Sequence, residues 1–130
     1  STRFKRWIRG GGFLFSIMSN SFVNKKADLT SNSATTLYTV PSFSTAVIKS
    51  ILVSEDSGNA DTITVTLTDT SDNVFSLFKT KSISANATTE LLSAPLVAQE
   101  SEIIKVTAAT ANRLHVVLSA LEIKPREVTT

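Results

Sequence analysis

One histidine, several acid-bearing loops and a basic-aromatic N-terminal segment are the residues of this chain able to carry chemistry or recognition. His115 lies between Leu114 and Val116 and reads as a base or a metal ligand. It has no second histidine for a metal pair, and no Gly-x-Ser-x-Gly elbow surrounds any serine. A structural or surface histidine is the stronger reading. Glu55-Asp56-Ser57-Gly58-Asn59-Ala60-Asp61 gathers oxygen ligands of the kind calcium takes. Its spacing departs from the Asp-x-Asp/Asn-x-Asp/Asn-Gly loop, however, and no bidentate glutamate follows at the right distance. Gly58 and Asn59 equally suit a hairpin turn. Asp69-Thr70-Ser71-Asp72-Asn73 reads as a polar hairpin tip. Asn86-Ala87-Thr88 matches the glycosylation acceptor, a pattern that recurs by chance in a threonine-rich chain, and equally marks a turn before a strand. The chain contains no cysteine, which removes disulfides, thiolate catalysis and cysteine-ligated metals together. No catalytic residue, cofactor site, metal site or small-molecule substrate is assigned.

The elements that must carry these residues are strands. Asp61-Thr62-Ile63-Thr64-Val65-Thr66-Leu67-Thr68-Asp69 alternates apolar and hydroxyl side chains without a slip, the period of a strand with one buried and one wet face. Further strands are expected near residues 22–29, 36–40, 46–54, 74–79, 88–93, 103–108 and 114–123. Pro41 and Pro95 mark breaks, because proline donates nothing to a ladder. Ser57-Gly58-Asn59, Ser71-Asp72-Asn73 and Ala111-Asn112 supply turn chemistry. No segment keeps a helical period. The fold class is all-β, an antiparallel β-sandwich of Ig-like or jelly-roll type with an extended N-terminal arm. Strand order stays open, since both types share the same alternation.

Alternation also gives the core. Ile63, Val65 and Leu67 share a face. Val47, Ile51 and Val53 are expected on one face of their strand, with Ile48 and Leu52 on the other. The last strand has Leu114, Val116 and Leu118 on one side and Val117, Leu121 and Ile123 on the other. A strand apolar on both faces is central in the fold or covered by another subunit.

The 130 residues suit one domain, with 42% apolar and 18% charged side chains. The net charge of +2 is unevenly spread. Arg3, Lys5, Arg6 and Arg9 precede any acid, whereas residues 18–130 carry nine basic and eleven acidic groups. The body is therefore not a nucleic-acid-binding surface by charge. Residues 1–17 are expected to form an arm and residues 18–130 the β-sandwich domain. Gly10-Gly11-Gly12 joint the arm between Arg3, Phe4, Lys5, Arg6, Trp7, Ile8 and Arg9 on one side and Phe13, Leu14 and Phe15 on the other. A secretory signal fits poorly, because the apolar run is short and no Ala-x-Ala-like site follows. Membrane-surface and nucleic-acid contact are further readings. The favoured one is a docking arm that buries these aromatics on neighbouring subunits.

Met18-Ser19-Asn20-Ser21-Phe22, Thr36-Leu37-Tyr38-Thr39-Val40-Pro41, Thr45-Ala46-Val47-Ile48-Lys49-Ser50-Ile51 and the ladder at 62–69 come in an order that resembles a known family. Ala94-Pro95-Leu96-Val97, Ile103-Ile104-Lys105-Val106-Thr107-Ala108 and Leu118-Ser119-Ala120-Leu121-Glu122-Ile123 complete the likeness over residues 18–124. The family is that of small virion structural proteins of tailed bacteriophages, best represented among marine cyanophages. The resemblance implies a β-sandwich repeated on a virion, without enzymatic activity. Other virion proteins (major capsid, neck or tail) are the expected partners, with a homo-oligomer favoured by the two-sided apolar last strand. Membrane and nucleic acid are the disfavoured ligands, although the sequence leaves open which of protein, nucleic acid or lipid the arm contacts. The segment before Met18 is an addition to the family pattern. A capsid decoration or cement protein is the leading expectation. A neck, collar or tail-fibre component is the alternative, and a carbohydrate- or receptor-binding module a more distant one.

Overall fold

The computed structural model describes residues 14–129, with side chains from Ser19 to Pro125. Nine strands carry the chain: β1 (Leu14–Asp28), β2 (Thr35–Thr39), β3 (Thr45–Glu55), β4 (Asp61–Thr68), β5 (Val74–Ile83), β6 (Thr88–Glu90), β7 (Leu96–Ala98), β8 (Ile103–Ala108) and β9 (Leu114–Thr129). They form two antiparallel sheets packed face to face. The first runs β1-β9-β3-β6, with β7 also on β3, and the second runs β2-β8-β4-β5. β6 and β7 share one edge of β3, at Leu52–Ser54 and Ala46–Ile48 respectively, and so fill a single strand position. Counted that way, two four-stranded sheets exchange the chain at every connection except the β4–β5 hairpin. That order is the jelly roll, which decides between the two sandwich types left open by alternation.

The core follows from period two. β8 alternates half-buried and buried along its whole length, burying Ile104, Val106 and Ala108. β9 buries Leu114, Val116, Leu118 and Ala120 against them, and Ile63 and Val65 of β4 are fully buried as expected. Tyr38 of β2 crosses the layers: its hydroxyl donates to Glu122 Oε2 of β9 at 2.7 Å. Burial, then the hydrogen bond and charge of Glu122, push the Tyr38 phenol upward.

Several boundaries differ from the alternation. β1 starts at Leu14 and pairs with β9 without a register shift, so it runs across the junction expected at residues 17 and 18. β9 continues to Thr129 through Pro125. The pairing of β9 with β3 ends at Ile123, so the missing proline N–H there leaves no ladder bond unmade. β7 has no counterpart among the expected strands, and β6 stops at Glu90. Between them Leu91 turns into the core, and the Glu90 carboxylate accepts from the N–H groups of Ile51 (2.8 Å) and Leu92 (3.2 Å) and from the Ser50 hydroxyl. A side chain thus takes up the ladder where the strand is broken.

β3 contains the one outright correction. Ile48 pairs with Ala120 and Ser50 with Ser119, so Lys49 is an extra, bulged residue. Before the bulge the buried residues are Ala46 and Ile48, and after it Ile51, Val53 and Glu55. Val47 therefore does not share a face with Ile51 and Val53. It points outward with Leu52, and Ile48 points inward.

The turn signals hold. Gly58, Asp72, Asn86 and Asn112 all take positive φ, between 57° and 83°. Among the described residues Thr68 Oγ1 is the one buried side-chain polar atom without a hydrogen-bond partner. Thr68→Val keeps the shape and removes that group. It is expected to raise unfolding stability in urea by about 1 kcal/mol.

Candidate docking face

Asp28, Glu55, Asp56 and Asp61 lie with His115 at one end of the sandwich, the end of the β1–β2, β3–β4, β5–β6 and β8–β9 connections. Glu55 is buried at the end of β3. Its Oε2 accepts from Ser57 N at 2.8 Å and from the Ser57 hydroxyl, and its Oε1 from Gly58 N and Asn86 N, both at 3.0 Å. Burial pushes this carboxyl up, but those hydrogen bonds outweigh it and hold it down at about 2. Both Glu55 oxygens are thus spent on loop donors. Asp69 does the same at the β4–β5 tip, accepting from Ser71 N and Asn73 N at 2.9 Å. His115 is half-exposed between two carboxylates, 3.2 Å from Asp28 and 3.4 Å from Asp56. Both ring nitrogens face acids rather than a hydroxyl that a base could activate. Asn86 is exposed at the turn before β6. Among the described residues no group of three or more acid, histidine or cysteine side chains is arranged to hold a metal.

A continuous apolar surface lies on the outer face of the β1-β9-β3 sheet. Directly opposed residues in antiparallel strands share a face. Phe22 opposes Leu121, Leu121 opposes Val47, and Val47 opposes Val97. These four form one apolar row across four strands, and its two ends are open: Phe22 is 79% exposed and Val97 52%. Val117 and Leu52 make a second, shorter row beside it. The outward side chains of β9 expected from its two-sided apolar pattern, Val117, Leu121 and Ile123, are all here and half-buried. The Lys49 bulge turns Val47 into the row.

Of the arm, Arg3, Phe4, Lys5, Arg6, Trp7, Ile8, Arg9 and Phe13 lie outside the described residues. The backbones of Leu14 and Phe15 belong to β1, opposite Thr129 and Val128. The arm therefore joins the sheet at the end that carries the β2–β3 loop. In that loop Phe43 is 76% exposed at φ 61°, with its N–H on Glu100 Oε2 at 2.6 Å. A bulky residue held in that region marks a built loop rather than a slack one. Sequence patterns alone do not single out Phe22 and Val97 as the open ends of an apolar row. The signal they do carry is Phe22 beside Val23: adjacent strand residues face opposite sides, so one of the two has to be open.

No family model matches the chain, and no curated protein matches it. Among solved structures it is similar to Bacillus endospore appendages, described as disulfide-linked pili, with 11% identity over 90% of this chain and 92% of that one at a TM-score of 0.45. It is also similar to a chain of infectious bursal disease virus, Gx strain, with 8% identity over 91% of this chain and 36% of that one at 0.47. A chain of the cyanophage Pam1 capsid asymmetric unit shares 18% identity over 90% of this chain and 91% of that one at 0.36. All three TM-scores lie below 0.5, and the jelly roll is assigned from the strand order rather than from these likenesses.

Proposed function

We propose that this chain is a non-enzymatic structural component of a tailed-phage virion, a capsid decoration or cement protein. The observation that carries the reading is the open apolar row Phe22–Leu121–Val47–Val97, a surface that solvent disfavours and a protein partner covers. The ordered resemblance over residues 18–124 supplies the virion. The use of loop carboxylates as backbone acceptors favours a structural role over a catalytic one. In this reading residues 3–9 and 13–15 reach neighbouring virion proteins while the row seats the body.

Copy number tests it. Quantitative mass spectrometry of purified particles is expected to give a ratio to the major shell protein near one or a simple fraction such as about one third. A few copies per particle would assign the chain to neck, collar or tail instead, and absence from particles would end the virion reading. Deleting residues 1–13, which leaves β1 whole, is expected to give a folded protein that no longer binds particles. Undiminished binding would remove the arm from the account.

A further inference from the structure

A sheet edge exposes unpaired N–H and C=O groups, and proteins that stay apart blunt such edges. Three of the four edge positions here are blunted. β2 is five residues long and bulged at Leu37. β5 has two register shifts and presents Lys79 and Lys81. The position filled by β6 and β7 is broken into three-residue pieces. β1 carries Lys25 and Lys26 toward its C-terminal end, but it differs in running for fifteen residues without a bulge or break, and among the described residues no strand pairs with its outer edge.

The hydrogen-bonding phase of that edge is fixed. Leu29 N donates to Leu114 O, so the odd-numbered residues of β1 bond to β9. Asn20, Phe22, Asn24 and Lys26 therefore direct their N–H and C=O groups outward, and their side chains lie on the face that carries the apolar row.

We propose that β1 pairs antiparallel with β1 of a second copy, about a two-fold axis at Phe22. The strand is self-complementary in this register. Phe22 stands opposite Phe22, Asn20 opposite Asn24, Ser19 opposite Lys25 and Met18 opposite Lys26, so no like charges meet. Registers centred on Lys25 or Lys26 put two ammonium groups face to face, which sheets disfavour. Pairing at Phe22 also joins the two rows into one apolar strip running from Val97 of one copy to Val97 of the other. Such an isologous contact closes on itself and leaves no edge for further growth at β1. The inference concerns the chain alone in solution and does not depend on the virion reading.

Light scattering and sedimentation on the full chain test it, with a dimer expected. Asn20→Pro removes an N–H that the monomer does not use. It is expected to keep cooperative unfolding while weakening the dimer at least ~10-fold. Phe22→Lys places two charges at the axis and gives the same loss if the proline variant fails to fold. The cysteine-free background allows a register test: Asn20→Cys mixed with Asn24→Cys is expected to crosslink through a short thiol-reactive bridge, and Asn24→Cys alone is not. A monomer up to about 100 μM overturns the proposal. So does a dimer that survives both substitutions, equal crosslinking of Asn24→Cys with itself, or a dimer lost on deleting residues 1–13.

Discussion

Deleting Leu52 is expected to cripple folding, whereas deleting Lys49, three residues earlier in the same strand, leaves the protein folded. Removing Lys49 joins Ile48 directly to Ser50. The pairs Ile48–Ala120 and Ser50–Ser119 then follow one another in regular alternation, and every inward residue of β3 stays inward. Removing Leu52 has no such solution. If the bulge stays, Val53 and Glu55 turn outward. If the bulge is absorbed, Ser50 replaces Ile51 in the core. Ile51 and Val53 are both fully buried, so either outcome costs about 2–5 kcal/mol in lost burial and packing. That is a large share of the roughly 5–15 kcal/mol that holds a domain of this size folded. Urea unfolding followed by near-ultraviolet circular dichroism checks both variants. A Lys49 deletion that unfolds the protein would mean that the bulge sets the twist of the sheet and does not merely accommodate an extra residue.

Replacing Glu55 by glutamine is expected to lower the unfolding midpoint at neutral pH by roughly 5 °C or more. Three backbone N–H groups and a hydroxyl converge on this one carboxylate, and an amide there presents them with N–H groups of its own. The same bonds make the native protein acid-sensitive in a defined window. The Glu55 carboxyl sits at about 2 in the folded chain against an ordinary 4.5. Between these values the unfolded chain takes up a proton that the folded chain refuses, so stability falls with falling pH. The contribution is complete above about pH 5 and is lost as pH drops toward 2. Asp69, through hydrogen bonds from Asn73, and Glu90, through bonds from Ser50, Ile51 and Leu92 that outweigh its burial, are lowered as well. The difference between native and Glu55→Gln melting curves therefore isolates the Glu55 share, and it should close as the pH approaches 2. A difference that stays constant down to pH 2 would show that glutamine acts through shape alone.

The strands that alternate cleanly are legible in the amino-acid sequence itself. Ile63 and Val65, Ile104 and Val106, and Leu114, Val116 and Leu118 follow simple alternation, because one wet face and one dry face impose it. Turns are legible where Gly58, Asp72 and Asn112 supply left-handed backbone. The side assignment in β3 is not, because its bulge sits at Lys49, a residue that carries none of the usual marks of irregularity. β7 escapes because three residues beside Pro95 fall below the length at which alternation means anything. The apolar row is half legible. The outward apolar side of β9 is visible along one strand, but its partners Phe22, Val47 and Val97 come from three others, and only register brings them into line. Strand order has no local signature, so the choice between sandwich types comes from the pairing itself.

The pairing of β1 with β9 sets Leu14 beside Thr129, so the first described strand finds its neighbour in the last. Contacts so far apart along the chain close slowly, since loop entropy is lost before any ladder bond forms. During synthesis β1 must wait for nearly the whole domain to be made. Until β9 arrives, both of its edges are open, and β9 from another nascent copy is as good a match as its own. The chain should therefore refold on a slower timescale than its size suggests and yield strand-exchanged species when refolded at high concentration. The uninterrupted edge that β1 would offer to a second copy exists only once the last strand is in place.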